Sequence, residues 1–249
     1  MSTRENLMTQ TFVELADTLV DDFDVVELLA LLGDRCVELF DAAAAGLVLA
    51  DPQGTLGLVA ATSDAMELVE IFQIQHAEGP CFDCYRDGEA VQVDDLARGA
   101  ERWPGFVPVA TSAGFRSAHA FPLRLRGRVL GALNLFRTRP GGLGPADAAA
   151  AQALADVATI AVLQHRAARD AQSLADKLQL ALNSRIAIEQ AKGVIAESAG
   201  LDMEEAFARL RGHARSNRRA LTEVAEHVVE GRIAVADLAP SNRPEPVDL

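Results

Sequence analysis

With 249 residues, 49% of them hydrophobic, the chain is long and apolar enough for one large domain or two smaller ones, which excludes wholesale disorder. A formal net charge of -13 excludes general affinity for phosphate polymers, so any nucleic-acid contact has to come from a local patch. One Trp and one Tyr disfavour proteins that stack many bases, and three cysteines (Cys36, Cys81 and Cys84) are too few for a disulfide framework.

Residues 9–40 carry helical periodicity, through Phe12, Leu15, Ala16, Leu19 and Val20 and then Leu28, Leu29, Leu32, Cys36 and Leu39. "AAGLVLADPQGTLGLVAATS" reads as a hairpin turning at Asp51-Pro52-Gln53-Gly54. "DAMELVEIFQIQ" is a helix capped by Ser63 or Asp64, with Glu67 completing a capping box. "AVQVDDL" offers a short strand, and "RSAHAFPLRLRGRVLGALNLFRTRP" a strand pair turning near Arg126-Gly127-Arg128. The first 140 or so residues thus mix helices with an antiparallel sheet, an α+β arrangement.

After Gly141-Gly142 the strands stop. Pro145 opens a helix, since its missing N–H is not needed in the first turn. Ala171, Leu174, Leu178 and Ala181 keep the spacing of a coiled-coil seam, and Arg185 and Ile188 continue it up to Gly200. Asp202 with Glu205 is a capping box for a helix from Met203 to about Asn217, and Thr222 is expected to cap a third helix ending at Gly231. The expected organisation is an N-terminal helix over 1–23, an α+β domain over 24–165, a helical connector over 166–183, a three-helix module over 184–237 and a disordered tail over 238–249. The N-terminus lacks the apolar core of a secretory segment, and Ala42–Ala50 is too short to span a bilayer. A reduced, cytoplasmic setting without membrane contact is therefore expected.

Two stretches carry candidate chemistry. "AFARLRGHARSNRRAL", Ala206 to Leu221, holds Arg209, Arg211, Arg215, Arg218 and Arg219 and no acid. On a helix, Arg211, Arg215 and Arg218 or Arg219 share one face, while Phe207, Leu210 and Ala214 form a stripe expected to face neighbouring helices. A solvated surface helix and a polyanion-binding face both fit this pattern. Residues 176–237 carry nine Lys/Arg against ten Asp/Glu, so the basicity is confined to that short face. The second stretch is "EGPCFDCYRDGEAV", whose Cys81 and Cys84 have the spacing of a redox pair or half a zinc site. No second such pair exists and the histidines lack metal-motif spacing, so no metal is expected; buried thiols acting as small hydrophobes compete with a dithiol switch. Trp103, beside Pro104-Gly105, is a candidate pocket wall or core residue. No GxSxG, P-loop, Rossmann glycine pattern or HExxH occurs, so the chain is not expected to be an enzyme.

The segment "LNSRIAIEQAKGVIAESAGLDMEEAFARLRGHARSNRRALTEVAEHVVEG" resembles the ANTAR domain. Arg185, Ile188-Glu189-Gln190-Ala191-Lys192-Gly193, Ala206-Phe207, Leu210-Arg211, Ala214-Arg215 and Val224-Ala225 carry the match; Ala196-Glu197 is a departure, where many members have methionine followed by Glu or Ala. The resemblance implies an all-α three-helix RNA-binding module that holds a two-hairpin leader transcript, each hairpin with a hexanucleotide loop, against a competing terminator. It makes Arg185, Lys192, Gly193, Arg211, Arg215, Arg218 and Arg219 the expected RNA contacts. Residues 24–165, through "AEGPCFDCYRDGEAVQVDDL" and the segments after it, resemble GAF domains of actinobacterial GAF–ANTAR regulators. This implies a sensor of a small-molecule ligand, a redox state or a partner, with Cys81, Cys84 and Trp103 as candidate ligand or redox residues. Cofactors are left open, and a homodimer through the connector is expected. One GAF branch reduces free methionine sulfoxide with cysteines, and Gly79-Pro80-Cys81 is similar to one of its segments. Pro104–Ser117, where that branch has a further cysteine, contains none. A thiol enzyme of that type and a protein-binding adaptor are the alternatives.

Overall fold

The computed structural model describes residues 3–18 and 24–238, and the chain divides into two compact units at Ala168/Arg169. In the first unit, helices α1 (Thr3–Thr18) and α2 (Val25–Phe40) precede strands β1 (Ala44–Ala50) and β2 (Leu56–Ala61). Helices α3 (Asp64–His76) and α4 (Pro80–Asp87), strand β3 (Val91–Val93), helix α5 (Phe106–Ser112) and strands β4 (Ser117–Leu125) and β5 (Arg128–Arg137) follow. The strands form one antiparallel sheet in the order β2-β1-β5-β4-β3, as the α+β pattern predicts. Arg126 and Gly127 both have positive φ, +50° and +80°, the geometry that lets a two-residue turn follow the twist of β4 and β5.

The sheet has a core on each face, because β4 and β5 alternate at period two. Phe121, Leu133 and Leu135 meet α2 and the first part of the long helix α6 (Pro145–Ala199), through Leu29, Leu32, Leu154 and Ala158. Phe136, Ala118 and Ala132 point the other way, where α3, α4 and α5 lie. Asp24 caps α2 by accepting from Val26 N. Residues 19–23, with Leu19, Val20 and the end of the expected N-terminal helix, lie outside the described residues, as does 239–249 of the expected tail.

Three local expectations change. Ser63 is the cap of α3, accepting from Met66 N; Asp64 is already helical, so Glu67 sits one position too late for the capping box. The CxxC stretch, read without regular structure, is helix α4, opened by Pro80 at its first turn. The Trp103 loop leads into α5, whose N-terminus is closed from a distance: Glu78 Oε1 accepts from Gly105 N (2.7 Å) and Phe106 N (2.9 Å).

The second unit contains the C-terminal part of α6, α7 (Met203–Ser216) and α8 (Leu221–Val229). Gly200 ends α6 with φ +65°, and Asp202 with Glu205 forms the expected capping box on α7. Thr222 does not cap α8. Ala220 holds that position, and the Thr222 hydroxyl pairs with Ser184 of α6 instead. Ala191, Ile195, Leu210, Val224, Ala225 and Val228 are among the residues that close a small core between the three helices.

From Ala167 to Asn183 every residue of α6 is exposed, including Leu174, Leu178 and Leu182 at more than half of their surface. Among the described residues α6 is also the one helix long and apolar enough to cross a membrane by length and composition. Part of that apolarity is core of the first unit, where Ala151, Leu154, Ala155, Ala158, Ala161 and Val162 are buried.

Candidate nucleic-acid interface

On α7, Ala206, Leu210 and Ala214 are buried, and the positions beside them fall at offsets of four: Phe207, Arg211 and Arg215. Periodicity placed Phe207 in the buried stripe. The structure corrects this: Phe207 is half-buried and outside the core cluster, and its ring lies 5.7 Å from Lys192 Nζ and 5.7 Å from Arg211 Cζ. Lys192, on α6, is also paired with Glu189 at 2.9 Å. The adjacent Gly193 is exposed, and a methyl group built there would meet nothing within 4 Å. Packing among the described residues therefore does not explain a glycine inside a helix, where it costs about 0.5–1 kcal/mol against alanine.

The arginines separate into two kinds. Among the described residues no carboxylate pairs with Arg185, Arg211, Arg215 or Arg218, and all four are exposed. Arg218 holds φ +53°, an uncommon conformation for a residue with a side chain, in the turn after α7. Arg219 is occupied: its guanidinium reaches Glu223 Oε1 (2.8 Å) and His227 Nδ1 (2.7 Å) on α8, and it holds the Glu223 carboxyl below the usual range. Arg219 thus ties the loop to α8, whereas Arg211 and Arg215 present free charge on one ridge.

In the first unit, the CxxC pair is closed off. Cys81 and Cys84 are buried and free, and burial pushes both thiols up, Cys84 to about 12. That is the opposite of the lowered pKa of a reactive thiol. Trp103 is 4% exposed and packs edge-on against Phe106, so it is core and not a pocket wall. Its Nε1 donates to Asp83 Oδ2 (3.1 Å), and Asp83 also pairs with Arg102 (2.6 Å) and Arg86 (3.0 Å). Among the described residues no group of three His, Cys, Asp or Glu side chains is placed to hold a metal.

A buried polar cluster beside Cys81 was not foreseen. Gln73 of α3 accepts from Cys81 N (2.9 Å) and donates to Glu70 Oε2 (3.0 Å). Gly79, with φ +127°, lets the chain pass over Gln73, where a side chain would collide at 2.3 Å. Glu70 Oε1 and both polar atoms of the Asn134 side chain are buried without a hydrogen-bond partner. Burial raises the Glu70 carboxyl to about 7, partly offset by the hydrogen bond from Gln73. The available signal was a carboxylate on the inward side of α3 and an asparagine inside the apolar strand β5.

The GAF domain model matches residues 24–163, more than half of the chain, and the ANTAR domain model matches residues 176–229. The chain belongs to the GAF-domain family and carries an ANTAR domain. The ANTAR domain indicates an RNA-binding antitermination regulator and the GAF domain a sensory one, a combination that points to a regulator rather than an enzyme. No curated protein matches the chain. Among solved structures, the GAF domain of a phosphoenolpyruvate-protein phosphotransferase from Coxiella burnetii is similar at TM-score 0.53 and 17% identity, covering 68% of this chain and 99% of that one. The free methionine-R-sulfoxide reductase of Neisseria meningitidis is similar at TM-score 0.52 and 20% identity, covering 68% and 95%. The GAF domain of the Acinetobacter phosphoenolpyruvate-protein phosphotransferase gives TM-score 0.51 and 13% identity, covering 67% and 97%. At these identities the likeness shows the fold alone.

Proposed function

We propose that this chain is a signal-responsive, cytoplasmic transcription antiterminator. Its ANTAR domain binds a two-hairpin leader RNA and thereby keeps a terminator hairpin from forming. The carrying observation is the ridge of Arg211 and Arg215, exposed and without carboxylate partners among the described residues, on a module of otherwise balanced charge. Such a face attracts a particular folded polyanion while the acidic remainder discourages indiscriminate binding. The GAF domain reads a ligand, a redox state or a partner. The exposed stretch of α6, with Ala171, Leu174, Leu178 and Ala181 at three-four spacing, joins two copies in a homodimer. Pairing two ANTAR domains makes the second hairpin contact effectively intramolecular.

The test is equilibrium binding of the full chain to a two-hairpin RNA with hexanucleotide loops across a salt series. Arg211→Ala and Arg215→Ala should each weaken binding and lower the salt slope by about one, with folding unchanged. Wild-type protein that ignores such RNA with every ligand tried sinks the reading and leaves a protein-binding adaptor in its place.

A further inference from the structure

Between Arg169 and Leu249 the sequence contains a single Phe, Tyr or Trp side chain, Phe207. In a unit whose core is alanine, leucine, isoleucine and valine, that ring is left out of the core, half-buried at the edge of the α6–α7 contact. Lys192 and Arg211, from the two helices, both stand 5.7 Å from its centroid. That distance is near the outer limit of a cation–π contact, about 6 Å. The ring therefore holds both cations loosely; Lys192 is anchored by Glu189 (2.9 Å), whereas Arg211 has no carboxylate partner among the described residues.

We propose that Phe207 is a stacking platform for one unpaired RNA base, with Lys192 and Arg211 moving from the ring to the phosphates on either side of that nucleotide. The proposal rests on the RNA-binding reading above and names one site within it. A base has a π-face and an anionic backbone on either side, and the Lys192–Phe207–Arg211 arrangement offers a complement to each. The open flank at Gly193, next to Lys192, leaves room for a sugar-phosphate chain that a side chain would narrow. A double helix would not suit, because its bases are stacked on one another; a base in a hairpin loop would.

Two measurements test this on the full chain. In the first, a two-hairpin RNA with hexanucleotide loops is titrated with wild type, Phe207→Leu and Phe207→Trp. Phe207→Leu should lose about five- to a hundredfold in affinity, with the salt slope unchanged because no phosphate contact is removed, and Phe207→Trp should retain binding. A single abasic loop position should weaken the wild type by a similar factor and leave Phe207→Leu no weaker than before. In the second, the same RNA with 5-iodouridine at loop positions is photocrosslinked to wild-type protein, which needs no variant to fold. Adducts on Phe207 are expected, and adducts only elsewhere overturn the platform. If Arg215→Ala weakens binding while Phe207→Leu does not, the platform falls and RNA binding stands. If wild type does not bind the RNA at all, both fall.

Discussion

Cys84 and Arg215 mark opposite solutions to placing a reactive side chain. Cys84 sits on the inner side of α4 with no exposed surface and its thiol pushed up to about 12, while Arg215 stands in solvent with no carboxylate partner among the described residues. The CxxC spacing and the arginine run were equally legible as text. The fold silences the first by burial and leaves the second available. The GAF domain keeps its unusual polar chemistry, Glu70, Gln73 and Asn134, inside the protein and away from solvent. The ANTAR domain keeps its chemistry outside, where a polyanion reaches it by diffusion.

The largest effect expected from this contrast is in thiol reactivity. At pH 8 a thiol at about 12 carries roughly a thousandth of the thiolate of an exposed cysteine with pKa about 8.5. Iodoacetamide should therefore label Cys84 in the native protein at least about a thousandfold more slowly than in urea, read by mass spectrometry. Rapid native labelling would erase the distinction between the two regions and revive the thiol-enzyme reading.

A smaller effect concerns the buried carboxyl. Glu70 is raised to about 7 from an ordinary 4.5, so folding favours its protonated form. Its contribution to stability is present in full below about pH 4.5 and is lost as pH rises through about 7. Glu70→Gln cannot ionise, so at pH 8 it should stabilise the GAF domain by about 1–3 kcal/mol and leave stability at pH 4 little changed. Urea melts at the two pH values check it, and parallel curves for both proteins would show that Glu70 is not held neutral by burial.

Where the sequence was legible, the determining interactions were local. The Asp202–Glu205 box and the Arg126-Gly127 turn both depend on residues a few positions apart. Where it misled, a distant partner decided. Thr222 was claimed by Ser184 from α6, and α5 is capped by Glu78, more than twenty residues upstream. Arg219 differs in that its partners are nearby, Glu223 four positions on and His227 eight positions on, both on the next helix. Phe207 shows a subtler failure. It lies only one position from the buried Ala206, and a hydrophobic periodicity cannot tell the edge of a buried stripe from its centre. Which apolar residue closes the core and which stays at its rim depends on where the second helix crosses, and a single sequence does not state that.

The smallest effect separates folding from recognition most cleanly. Gly193 lies inside α6 with open space around it, so nothing among the described residues opposes a methyl group there. Gly193→Ala should raise the stability of the ANTAR domain by about 0.5–1 kcal/mol through helix propensity alone. If the glycine is kept for close approach of RNA, the same variant should bind the two-hairpin RNA more weakly despite being more stable. Stability and affinity moving in opposite directions is the signature of a surface shaped for a partner. A variant both more stable and equally tight in binding would show that the open flank beside Lys192 is not used, and would confine the interface to the α7 ridge.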